Sequence, residues 1–162
     1  MDLTVVMLLV NGFVMGIAGT LAMDFWTILL NRFFAQPKPN WSLVGRWVLH
    51  LPTLFHDDIS KAKPVAIEGY IGLAFHYAIG MIYGMLFAIG AGELWFAVPN
   101  FLPLWIFALL AISGGWFLLF PGMGLGWALA KVETPFRARI MGLVEHTVFA
   151  AGMWITALLL VW

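Results

Sequence analysis

Four ionisable side chains sit in apolar surroundings where a charge is costly: Asp24, His76, Glu145 and His146. Asp24 lies eight residues before Arg32, His76 eight after Glu68, and His146 seven after Arg139. On a helix these offsets place each group roughly 10–12 Å inside a basic boundary. Glu145 falls in the same layer. A charged side chain there costs about 2.5–3.5 kcal/mol even on a lenient insertion scale. The layer holds two carboxylates and no Lys or Arg. The carboxylates must therefore be protonated, be paired with imidazolium, or hold a bound cation. Imidazole and carboxylate ligands on a helical bundle suit a transition metal, which makes Asp24, His76 and His146 a candidate metal set. The same groups could relay protons. The plain alternative is hydrogen bonding from helix to helix, which is common and weak. Glu145 and His146 are adjacent and point about 100° apart on a helix, so both cannot face one centre.

A second group lies in a connection: Arg46, His50, His56, Asp57 and Asp58. His-Asp-Asp could bind a divalent cation or close over the buried layer. The plainer reading is that Asp57 or Asp58 caps a short helix over 59–62.

The elements that must carry these residues are membrane spans. The chain of 162 residues is 63% hydrophobic and only 10% charged. A soluble domain needs about a quarter of its residues charged. Apolar stretches near 3–34, 64–91, 101–130 and 137–162 each exceed the ~20 residues that cross a bilayer. They run without the alternation of a β-barrel, so they read as helices. The fold class is all-α: a polytopic membrane bundle of four transmembrane helices in a single domain. Met1-Asp2 precedes the first stretch with no Lys or Arg, so that stretch reads as a retained span.

All eight basic residues fall in the first-to-second or third-to-fourth connection. The positive-inside rule makes both connections cytoplasmic and both termini periplasmic. Trp95 and Trp162 suit the outer interface, Trp41 and Trp47 the inner one. Within the connection 35–63, Asn40 is an N-cap and Trp41, Val44, Trp47, Val48 and Leu51 recur at helical spacing. They predict a short interfacial helix ended by Pro52. Pro64 is expected to open the second span, and Pro121 to free carbonyls near Phe117 in the third.

Gly72, His76, Gly80 and Gly84 stand four apart on the second span, and Gly142, His146 and Ala150 do so on the fourth. Small residues at this interval let helices approach closely. Gly72-Leu73-Ala74-Phe75-His76 parallels Gly142-Leu143-Val144-Glu145-His146, and Gly16-Ile17-Ala18-Gly19 parallels the glycines at 122, 124 and 126. The parallels suggest a duplicated two-helix hairpin. They also predict close approach of the second and fourth spans around their histidines.

Other chemistry is missing. There is no cysteine, and none of Ser42, Ser60 and Ser113 sits in a nucleophile elbow. No phosphate loop, dinucleotide fingerprint or zincin helix occurs, and no basic run reads as a nucleic-acid footprint. Binding is favoured over catalysis, with an enzyme acting on lipid the weakest reading.

Five strings carry a family resemblance: Gly19-Thr20-Leu21-Ala22-Met23-Asp24-Phe25-Trp26, Val44-Gly45-Arg46-Trp47, Ala74-Phe75-His76-Tyr77-Ala78-Ile79-Gly80, Pro121-Gly122-Met123-Gly124 and Glu145-His146-Thr147-Val148-Phe149. Together the chain resembles a family of small four-span bacterial inner-membrane proteins catalogued only as a domain of unknown function. Asp24, Arg46, His56, His76 and His146 lie among the shared positions. The resemblance implies a multi-pass protein of the bacterial cytoplasmic membrane and no particular activity.

Three functions fit these residues. The first is binding or transport of a cation, proton or small amine at Asp24, His76, His146 and Glu145. The second is a cofactor site: His76 and His146 as axial ligands of haem b, or a quinone site. A divalent metal ranks ahead of haem as the cofactor. The third is an accessory subunit of a larger membrane complex, or a homodimer, using the glycine faces as contacts. The lipid bilayer is the surrounding partner in each.

Overall fold

A computed structural model describes residues 2–160 and is helical throughout its regular structure. Helix α1 spans Leu3–Phe34, α2 Trp41–Leu49, α3 Glu68–Ala97, α4 Phe101–Gly114 and α5 Pro135–Leu159. The third crossing continues from α4 through a π-helical segment, Gly115–Leu119, and a last turn, Phe120–Gly122. Four helices, Leu3–Phe34, Glu68–Ala97, Phe101–Gly122 and Pro135–Leu159, are long and apolar enough to cross a membrane. The expected four-span bundle is what forms. Large apolar side chains such as Phe25, Ile82, Leu94 and Leu110 are exposed on its outer faces, as a lipid-facing surface requires.

Polar turns and the limits of helix chemistry set the span ends. The second span starts at Glu68, not at Pro64, because the chain turns over 65–68, where the Glu68 amide donates to the Val65 carbonyl at 3.0 Å. The Glu68 carboxylate accepts the Val65 amide at 3.0 Å across that turn. The second span runs on to Ala97, past the expected end near 91, with a break inside it where Gly92 leaves helical geometry at φ 71°. The third span stops at Gly122, well short of 130. Gly124 and Gly126 take positive φ there, and a 3₁₀ turn follows over Trp127–Leu129. Pro121 acts as expected on the backbone before it. A proline lacks the amide that would bond four residues back, and the preceding turn widens to π geometry. The fourth span starts at Pro135, in the favoured first-turn position, and ends at Leu159. Trp162, expected at the outer interface, lies outside the described residues.

The spans pack in the order α3, α1, α5, α4. Helix α1 is central: it packs on α3 along one face and on α5 along another. Helices α3 and α5 do not form a packed pair, so the expected close approach of the second and fourth spans does not occur. The small residues of α3 are used against α1 instead. A Cβ on Gly12 would fall 2.6 Å from the Met85 Cα, and one on Gly16 2.7 Å from the Met81 Cα. On α3, a Cβ at Gly84 would strike the Gly12 carbonyl, and one at Gly80 the Thr20 hydroxyl. These four glycines form an antiparallel backbone seam. On α5, Gly152 approaches Ala18, Gly19 and Ala22 of α1.

The two hairpins, α1–α3 and α4–α5, each hold together, yet the parallel strings serve different contacts. Gly72 abuts the Trp41 carbonyl and Gly45 amide of α2, whereas Gly142 faces the Ile112 and Trp116 side chains.

Helix α2 forms where the spacing placed it, with Asn40 accepting the Leu43 amide at 3.3 Å. It does more than lie on a surface. Val44, Gly45, Arg46 and Trp47 are buried against α3 and the end of the third span. Gly45 and Gly72 meet backbone to backbone. Trp47 packs edge-on against Phe75 at 6.0 Å, and its indole donates to the Leu54 carbonyl at 2.9 Å. Val44, Trp47, Ile59 and Met123 form a small core of their own, apart from the larger core of Met15, Phe87, Leu104 and Met153.

Candidate functional site

The α1–α3 seam fixes the register of these helices, and the register brings the intramembrane groups together. Asp24 comes level with His76 and Tyr77. The Tyr77 hydroxyl donates to Asp24 Oδ2 at 2.7 Å, and His76 Nε2 lies 3.3 Å from Asp24 Oδ1. The His76 ring stacks on Trp41 of α2, with centroids 4.3 Å apart and planes 25° apart. The His76 side chain retains 16% of its exposure and that of Asp24 28%. No Lys or Arg takes part in this group; among the described residues the only basic side chain within ion-pair reach of Asp24 is His76.

His146 does not join this pair. Its Nδ1 bonds the Gly142 carbonyl of its own helix at 3.0 Å, so Nδ1–H is the donor. Among the described residues Glu145 has no hydrogen-bond or ion-pair partner, and no three His, Asp or Glu side chains gather as metal ligands. The expected Asp24–His76–His146 metal set is not assembled: α3 and α5 do not pack on one another, and His146 bonds within its own helix. Two of its members, Asp24 and His76, do meet.

The connection residues divide between roles. Asp58 caps the turn Ile59–Lys61, as the plainer reading expected: it accepts the Ser60 amide at 3.0 Å and the Ser60 hydroxyl at 2.6 Å. These donors hold its carboxyl below the ordinary range. The His56 amide donates to the Gly122 carbonyl at 2.9 Å and docks the connection on the third span. The His56 ring sits edge-on to His50 at 6.1 Å, and its Nε2 is buried without a partner among the described residues. His50 Nδ1 bonds the Arg46 carbonyl at 2.7 Å. Asp57 presses its carbonyl against Gly124. None of these four reaches Asp24 through a hydrogen bond or ion pair.

Arg46 is the structural centre of the connection. Its Nε and Nη2 grip the two oxygens of Glu68 at 2.9 and 2.7 Å. Its Nη1 donates to the carbonyls of Ser60 at 2.8 Å and Ala62 at 3.2 Å. The carboxylate of Glu68 raises the guanidinium above its ordinary pKa. One side chain thus ties α2, the 3₁₀ turn and the start of α3 together.

The model of a family described as protein of unknown function (DUF2938) matches residues 13–160. The chain belongs to that family. The expected resemblance to a domain of unknown function is therefore correct. The DUF2938 match covers every residue of the Asp24 group and of the Arg46 staple. No curated protein and no solved structure matches the chain.

Sequence reasoning did not single out Tyr77, Trp41 as a stacking partner, or Glu68. Tyr77 had a usable signal, since it adjoins His76 and so lies at the depth of Asp24. Glu68 is 22 residues from Arg46, and no local period relates them.

Proposed function

We propose that this DUF2938 protein binds a proton at the Asp24–His76 pair and exchanges it for a small monovalent cation, such as a protonated amine. The carrying observation is an intramembrane carboxylate that meets one imidazole at 3.3 Å and one phenol at 2.7 Å. With a single proton the pair is neutral in either form, as Asp⁻ with HisH⁺ or AspH with neutral His. Without it the pair carries one negative charge in a setting that penalises charge. A departing proton must then be replaced by another cation. Tyr77 stabilises the carboxylate form through its O–H bond. Trp41 covers one face of the imidazole and offers a π surface to a cation.

Asp24→Asn tests this reading. The amide oxygen still accepts from Tyr77, so the fold is retained, but the site can no longer ionise. In proteoliposomes with an imposed pH gradient, wild-type protein is expected to take up methylammonium and Asp24→Asn to show none. Infrared difference spectra are expected to show a titrating carboxyl band that Asp24→Asn removes and Tyr77→Phe shifts. Uptake and spectra unchanged in Asp24→Asn would reduce the group to a helix-to-helix hydrogen bond.

We also place the basic connections at the cytoplasmic face, on the strength of the charge distribution, and the membrane as a bacterial inner membrane, as the family resemblance implies. With no native cysteine, Lys63→Cys gives one exposed thiol. An impermeant maleimide should label it only in inside-out vesicles; labelling in intact spheroplasts would reverse the orientation.

A further inference from the structure

A groove of about 700 Å³ opens at the basic end, between the start of α2 and the start of α3. Its polar wall carries Lys38, Asn40 and Ser42, and its apolar wall continues along α3 through Tyr70 and Leu73. Tyr70 is 80% exposed. Glu68 also lines the groove, but both of its oxygens are held by Arg46, so its charge is neutralised. Lys38 is exposed and has no ion-pair partner among the described residues. The groove therefore offers a net positive charge and hydroxyl and amide donors. It lies at the start of the second candidate span, and its apolar wall is a track that follows that span through Tyr70 and Leu73.

We propose that this groove seats the headgroup of an anionic phospholipid. The phosphate would lie against Lys38 and Ser42, and an acyl chain would follow Tyr70 and Leu73. A phosphate monoanion matches the single free ammonium. The track along an outward face of a span matches a chain that already lies in the membrane. A free phosphate would use the polar wall and leave the track unused.

Native mass spectrometry of the full chain, released from detergent with phosphatidylglycerol or phosphatidylcholine added, reads the occupancy directly. Wild-type protein should retain phosphatidylglycerol in preference to phosphatidylcholine. A juxtamembrane Lys contributes enough that Lys38→Gln should weaken phosphatidylglycerol binding about fivefold. Lys131→Gln, at the same end but outside the groove, should leave it unchanged. Leu73→Trp, which blocks the track, should weaken phosphatidylglycerol while sparing the polar wall. Equal retention of the two lipids by wild type overturns the proposal. So does an equal loss in Lys38→Gln and Lys131→Gln, which would mean diffuse attraction. Displacement of the lipid by inorganic phosphate alone, with Leu73→Trp silent, would also overturn it by making free phosphate the occupant.

Discussion

Gly16→Ala and Gly84→Ala should each destabilise the bundle by about 1–3 kcal/mol, the range for overpacking a tight contact. The methyl added at position 16 would sit 2.7 Å from the Met81 Cα, and the one at 84 would strike the Gly12 carbonyl. Both obstacles are backbone, so no rotamer change relieves them and the helices must separate. Gly90→Ala is the matched control: it lies on the same helix as Gly84, with nothing within 4 Å of an added Cβ. There the substitution should be neutral or mildly stabilising, since alanine is the better helix former. Unfolding in mixed detergent micelles, followed by circular dichroism, compares the three. The seam variants carry a second consequence. Separating α1 from α3 lengthens the Asp24 contacts with His76 and Tyr77, so the proposed proton-linked uptake should fall in variants that remain folded. Equal stability of Gly16→Ala and Gly90→Ala would mean that the seam accommodates an added methyl and does not set the helix spacing.

The second large effect is expected at Arg46. Both members of the Arg46–Glu68 pair are nearly buried, with side-chain exposures of 10% and 11%. Truncating one partner of such a pair leaves an uncompensated charge, which is among the more damaging single changes. Arg46→Ala also strips donors from the Ser60 and Ala62 carbonyls. A fall in melting temperature on the order of 10 °C is expected. Arg46→Lys should recover little, because an ammonium cannot match the two-pronged contact and also reach both carbonyls. Arg46→Ala combined with Glu68→Gln should recover part of the loss by removing the stranded carboxylate. If the double variant melts no higher than Arg46→Ala, the guanidinium acts through the carbonyls and not through Glu68.

The spans and the Asp24 layer were legible in the sequence because each follows from a local rule. Span length follows from bilayer thickness, and the depth of a residue from its distance to the nearest basic boundary. That rule put Asp24 and His76 at one level, and the structure joins them. It could not say which helix stands beside which. His146 obeys the same depth rule and yet bonds only within its own helix, because that helix packs on α1 and α4 and not on α3. Glycine spacing shows that a helix has a close partner, not which partner it is. Gly80 and Gly84 were expected to face the fourth span and face α1. Glu68 read as a boundary marker, since its tie to Arg46 spans a whole connection. The end of the third span was misplaced for a related reason. Residues 123–130 are apolar enough to extend a helix, and only the backbone turns at Gly124 and Gly126 show that they do not.

The two apolar cores described above meet across the Asp24 group. Phe75, next to His76, packs on the small core, while Met23, next to Asp24, packs on the large one. The hydrogen bond between Asp24 and His76 therefore ties α1 to α3 between the two cores, beside Trp41 of α2. If the pair titrates as proposed, protonation there should change how firmly α2 is held through the stack of Trp41 on His76. Hydrogen exchange in Trp41–Leu49 is where the charge state of a carboxylate on a different helix would be felt.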